Sequence, residues 1–116
     1  MKLLTRTEEL ALIAVWRLQD NAYSLPLQEL ISEIAGKEWS LGSIYTPLER
    51  LTRRGFVTSR ATEATPERGG RRKRVYSLTA KGREALVYMY EFERSMWTGV
   101  SLGGLRAGVH PYPDAT

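Results

Sequence analysis

The feature that most restricts how this chain can fold is a change of apolar period between positions 40 and 78. In the segment LGSIYTPLERLTRRG, Leu41, Ile44, Leu48 and Leu51 follow one another at spacings of three, four and three, which places them on one stripe of an α-helix. Beyond Gly55 the pattern is different. FVTSR (56–60) and RVYSL (74–78) are rich in β-branched and aromatic residues and read as two strands. Between them, ATEATPERGGRRK carries Pro66 and the pair Gly69 and Gly70, all turn formers, so the two strands are expected to make a β-hairpin with a long polar turn.

Three more helices frame this switch. Thr5 and Glu8 have capping-box spacing, and Leu10, Ile13, Ala14 and Leu18 recur at helical intervals, which predicts a first helix over 7–19 that Asp20, Asn21 and Ala22 end. Ser24 can cap a second helix of about ten residues, with Pro26 in its first turn, Leu27, Leu30, Ile31 and Ile34 on one face, and Gly36 as a left-handed stop. Ser40 caps the third. Two short helices with a brief connection, the second amphipathic and basic at its end, have the shape of a helix-turn-helix. Thr79 then caps a fourth helix that accepts Gly82 in its first turn and runs to about Trp97. The tail GVSLGGLRAGVHPYPDAT, with four Gly and two Pro, reads as irregular or as a loosely docked arm. The expected fold is α+β and mostly helical: a winged helix-turn-helix over 1–78, a C-terminal dimerisation helix over 79–97 and a flexible tail over 98–116.

Charge is distributed unevenly along this order. The chain has 17 Lys and Arg against 13 Asp and Glu, yet residues 50–74 hold nine basic residues and only two acidic ones, so the remainder sums to minus three. Five of the nine lie in RGGRRKR (68–74), at the tip and descending arm of the expected hairpin. Such asymmetry points to a polyanionic partner. A basic hairpin beside a helix whose C-terminal end is also basic fits a wing that contacts double-stranded DNA.

Composition narrows the chemistry. There is no cysteine, and the chain has a single histidine, His110, and two aspartates, Asp20 and Asp114. Neither a metal cluster nor a nucleophile-base pair is easily assembled from that inventory, so no enzyme, metal or cofactor is expected. The longest apolar run, LALIAVW (10–16), is too short to cross a bilayer, and no signal peptide pattern is present; a cytoplasmic location is expected.

Helix-turn-helix docking turns the N-terminal part of the second helix toward base edges. By that geometry Ser43, Thr46 and Pro47 face bases, Ser40, Gly42 and Tyr45 lie near the backbone, and Ile44, Leu48 and Leu51 are core. Tyr45 has two readings, as a cover for the core edge or as a hydroxyl donor to phosphate. Pro47 also has two, since it lacks the N–H that would bond the Ser43 carbonyl: the helix bends there, or its regular part starts later. Arg50, Arg53 and Arg54, together with Arg68, Gly69, Gly70, Arg71, Arg72, Lys73 and Arg74, complete the expected DNA-binding set. On the fourth helix Leu86, Met89, Phe92 and Met96 form one apolar stripe, and Val87, Tyr90 and Trp97 another. Only one is needed inside a small domain, so the helix is expected to meet a second copy of the chain through Leu86, Met89, Tyr90, Phe92, Met96 and Trp97.

Three stretches, ELALIAVWRLQDNAY, SLGSIYTPLERLTRRGFV and GGRRKRVYSLTAKG, resemble the first helix and turn, the recognition helix with its first wing strand, and the wing with the start of the last helix of the PadR family of bacterial transcriptional regulators. Two positions depart from its pattern: Ser24 stands where many members have Gly, and Pro47 is one place later than the usual proline. The resemblance implies a homodimer held together through the C-terminal helix and the first helix, usually a DNA-binding repressor; docking of such a dimer would place half-sites about one helical turn apart, near 34 Å. It also implies a small aromatic effector in some members, for which Trp16, Tyr90 and Trp97 are the candidate ligand residues, with interface packing as their other reading. The competing function is a winged-helix protein-protein module without DNA binding.

Overall fold

The helices and the hairpin follow one another as the apolar period prescribes. A computed structural model of the chain describes residues 3–62 and 73–110, and its elements are α1 (Arg6–Leu18), α2 (Ser24–Ala35), α3 (Leu41–Arg53), β1 (Val57–Ala61), β2 (Arg74–Leu78), α4 (Ala80–Met96) and α5 (Leu102–Ala107), with a short 3₁₀ turn, Gln19–Asn21, after α1. The strands pair antiparallel, with Val57 opposite Leu78, Ser59 opposite Tyr76 and Ala61 opposite Arg74. This is the winged-helix arrangement, α+β and mostly helical.

The helix ends show why the chain stops where it does. At α1 the Thr5 hydroxyl accepts from the Glu8 N–H at 3.1 Å while the Thr5 N–H donates to the Glu8 carboxylate at 2.9 Å, the reciprocal capping box. The helix ends one residue earlier than expected, because Gln19 takes φ of 51°, which no α-helix accommodates. Ser24 is not the cap of α2 but its first helical residue; Tyr23 occupies the cap position in an extended conformation and no side chain caps it. Gly36 closes α2 with φ of 71°. Ser40 caps α3 as expected, accepting from the Ser43 N–H at 3.1 Å.

One apolar core joins α1, α2, α3, the hairpin and α4. Leu12, Val15, Leu27, Ile31, Ile44, Leu48, Leu51, Phe56, Val57 and Tyr76 are buried together, and Leu86 and Met89 of α4 pack against the cluster. Truncating one of its fully buried leucines to Ala would remove about 2–5 kcal/mol. Of the apolar positions expected on α1 to α3, three fall outside it: Ile13 is partly buried without joining the cluster, and Leu41 and Ile34 are exposed at the ends of their stripes. The first strand begins at Val57 rather than Phe56, whose side chain goes into the core instead.

Two backbone contacts aim the hairpin. The Tyr76 N–H donates to the Ala22 carbonyl at 2.9 Å, so β2 hangs from the turn between α1 and α2. At its far end Thr79 donates from its hydroxyl to the Gly55 carbonyl at 2.6 Å and accepts from the Gly82 N–H at 3.1 Å, fastening the end of α3 to the start of α4. Gly82 is required there, since a Cβ would sit 2.1 Å from the Phe56 carbonyl oxygen.

The tail differs from its reading. Residues 102–107 form α5, capped by the Ser101 hydroxyl on the Gly104 N–H and ended by Gly108 at φ of 71°. Local capping outweighs the poor helix propensity of Gly103 and Gly104. Among the described residues no helix is long and apolar enough to cross a membrane.

Candidate nucleic-acid interface

Turning by 3.6 residues per turn, α3 sends Ile44, Pro47, Leu48 and Leu51 inward and leaves Gly42, Thr46, Glu49 and Arg53 along its outer ridge. Ser40 and Ser43 lie at the exposed start, their hydroxyls 2.8 Å apart, and the Thr46 hydroxyl donates back to the Gly42 carbonyl at 3.3 Å. Pro47 corrects the expectation: it is buried among the core residues and cannot face bases. Its burial explains its tolerance, because the ring fills core volume while α3 stays helical from Leu41 onward, which removes the reading of a late helix start. Tyr45 is exposed, beside the buried Tyr76 at the edge of the core.

Between the outer ridge of α3 and the hairpin lies a concavity of about 970 Å³ lined by Tyr23, Ser24, Tyr45, Glu49, Thr52, Arg53, Ser59, Lys73, Arg74 and Tyr76. Register and side-chain contacts hold its cationic wall. Arg74 donates to the Ser59 hydroxyl at 2.9 Å across the pair of strands, and the Lys73 ammonium sits 4.0 Å from the centre of the Tyr23 ring. Thr62 and Lys73 bond through both the Thr62 N–H and hydroxyl to the Lys73 carbonyl, and through the Lys73 N–H to the hydroxyl. Arg53 reaches the same space from the end of α3. Burial pushes the Tyr76 phenol up from its ordinary pKa, Tyr45 and Glu49 add to this, and Arg74 opposes it, so the phenol stays protonated and neutral at ordinary pH. The structure thus brings together Arg53, Lys73, Arg74 and Tyr45; Arg68, Gly69, Gly70, Arg71 and Arg72 lie outside the described residues.

The other flank of α3 uses its arginines differently. Arg54 donates to the Glu8 carboxylate at 2.9 Å, and the Arg50 Nε lies 3.9 Å from the same oxygen. The Glu8 side chain is 5 % exposed and that of Arg54 33 %. Burial alone would raise the Glu8 pKa, but the Thr5 backbone donor and the Arg54 guanidinium outweigh it and hold the group below its ordinary value. Arg54 also stacks over Phe56 at 4.8 Å. Arg54, one of the residues expected to bind DNA, thus ties α3 to α1 in the free chain, and Arg50 lies beside the same carboxylate. No sequence signal beyond the capping box marks Glu8, and its second role depends on a contact 46 residues away.

A second recess, about 570 Å³, runs between α1 and α4 past Ile13, Trp16, Leu78, Leu86, Val87 and Tyr90. Of the three aromatic candidates for a ligand, Trp16 and Tyr90 line it, and Trp97 does not. Among the residues expected at a dimer interface, Leu86 and Met89 pack on the chain's own core, whereas Tyr90, Phe92, Met96 and Trp97 are exposed.

Glu49 is the position on the outer ridge that residue-type reasoning passed over. The signal was available in its spacing, three beyond Thr46 and seven beyond Gly42, which shares their face.

Solved structures share the fold. A PadR-like transcription factor from Bacteroides fragilis superposes with a TM-score of 0.65 at 22 % identity, covering 82 % of this chain and 89 % of that one. RosR of H. salinarum does so with 0.64 at 23 %, covering 90 % and 87 %, and a PadR family transcription regulator from Clostridium difficile with 0.59 at 18 %, covering 88 % and 97 %. A search of curated proteins found no match. The profile described as the transcriptional regulator PadR-like family matches residues 12–87, from the middle of α1 through the wing into α4, and the chain belongs to that family of transcriptional regulators.

Proposed function

We propose that the chain is a sequence-specific, double-stranded-DNA-binding regulator, a homodimeric repressor located in the cytoplasm. The observation that carries this reading is the convergence of Arg53 from α3 with Lys73, just before β2, and Arg74 of β2 around one concavity beside the exposed ridge of α3. A helix ridge with small polar residues can enter a major groove while cations on the hairpin track the adjacent phosphates. In this division residues 1–78 bind DNA, and the α4 segment, 79–97, pairs two copies through Tyr90, Phe92, Met96 and Trp97, with the tail 98–116 beyond it. The recess holding Trp16 and Tyr90 is the place for a small planar aromatic effector that relieves repression.

The test is selection of duplexes from a randomised pool by the full chain at low ionic strength, with light scattering to read the oligomeric state. Enrichment of a palindromic motif, with half-sites about 34 Å apart, by a dimer is the expected result. A protein that retains no duplex at low salt would leave the protein-protein module as the function.

A further inference from the structure

The outer ridge of α3 contains one acid, and it sits in the middle of the surface offered to DNA. Glu49 follows Gly42 and Thr46 on that ridge and precedes Arg53 by one turn. Gly42 has no side chain and Thr46 a short one, so the carboxylate is the first long acceptor that an approaching groove would meet. Among the described residues it has no hydrogen bond and no ion pair, although Arg53 lies on the same face and Arg74 lines the same concavity. A negative charge facing phosphate would oppose the cationic wall beside it. A negative charge facing base edges discriminates among them instead.

We infer, on the basis of the DNA-binding reading above, that Glu49 is a specificity-determining residue that accepts a hydrogen bond from the exocyclic amine of a cytosine in each half-site. The major-groove edges of guanine and thymine present acceptors, and adenine places its N7 acceptor beside its amine. Cytosine alone offers an amine donor with no acceptor of its own next to it. A carboxylate therefore selects cytosine and repels the other three, so that specificity arises by rejection as well as by attraction.

The experiment compares the full chain with Glu49→Ala and Glu49→Gln in the same randomised duplex selection, followed by binding curves on the winning duplex and on its single-base variants. Glu49 is exposed, so both variants should keep the fold, with unchanged circular dichroism. The parent chain is expected to prefer cytosine at one position of each half-site by about tenfold. Glu49→Ala should lose that preference at that position alone. Glu49→Gln should move it toward adenine, whose N6 and N7 match an amide. A motif unchanged in both variants, with binding tightened equally on every sequence, would overturn the assignment and leave Glu49 a surface charge. A parent chain that selects no motif would instead sink the DNA-binding reading on which the assignment rests.

Discussion

Arg53 and Arg54 are neighbours in sequence and opposites in use. Arg53 points along the outer ridge of α3 into the concavity shared with Lys73 and Arg74. Arg54, about 100° further round the helix, is held by buried Glu8 and lies over the Phe56 ring. Among the described residues Arg53 forms no ion pair, although it also borders the recess beside Glu8, whereas Arg54 is a structural tie. What separates them is the identity of the neighbouring element: the open hairpin on one side, the N-terminus of α1 with its half-satisfied carboxylate on the other. A local excess of positive charge thus measures the potential of a surface, and the buried acids nearby decide how many of those charges a polyanion can use.

The sharpest way to break the comparison is to remove the tie. Glu8→Ala deletes the capping-box acceptor and leaves Arg54 without its carboxylate; a charged hydrogen bond and a cap together are worth about 2–3 kcal/mol. Melting followed by circular dichroism should show Tm falling by about 10 °C or more. Arg53→Ala should move Tm by little, within about 0.5 kcal/mol, as an exposed charge does. Equal destabilisation by both changes would mean that the two flanks do not differ.

How much of this was legible in the chain beforehand follows from the range of each interaction. Period and caps are local, so the order α1, α2, α3, hairpin, α4 could be read from spacing, and Thr5, Ser40 and Thr79 all cap as their positions suggest. The candidate interface was legible as a set of residue types but not as a surface. Pro47 reads as DNA-facing until the tilt of α3 into the core is known, and Arg54 reads as a phosphate contact until Glu8 arrives from the other end of the domain. Trp97 joins Trp16 and Tyr90 as a ligand candidate through the family resemblance, whereas within one chain only Trp16 and Tyr90 line the recess between α1 and α4. Glu49 was missed because a lone acid in a basic segment looks like ordinary surface. α5 was missed because Gly content was weighed more heavily than the caps Ser101 and Gly108.

Binding sharpens the comparison from the other side. If Arg53 meets phosphate, Arg53→Ala should flatten the dependence of log K on log salt by about 0.9 and weaken all sequences alike; adding Lys73→Ala and Arg74→Ala should bring the total to about 2.7. Arg54→Ala should leave the slope unchanged while lowering Tm. Fluorescence anisotropy on one labelled duplex across a salt series reads all of these. A slope change for Arg54→Ala as large as for Arg53→Ala would show that the Glu8 tie opens on binding and that Arg54 is shared.

Acid provides the gentlest probe, because it weakens the tie without a substitution. The folded pKa of Glu8 lies below its ordinary value of 4.5, so the unfolded chain binds this proton more readily than the folded one. The contribution is complete above the unfolded pKa and is lost as pH falls through the folded one, which places the window below about pH 4.5. In that window the parent chain should lose stability more steeply than Glu8→Gln, whose amide has no proton to take up. Subtracting the two melting curves, taken from pH 6 downward, isolates this one group from the other carboxylates, which titrate alike in both proteins. The difference should be smaller than the whole loss in Glu8→Ala, since a protonated Glu8 keeps its shape and can still accept from Thr5. Parallel curves across the acid range would mean that Arg54 is as exchangeable with solvent as Arg53, and the contrast between the two flanks of α3 would disappear.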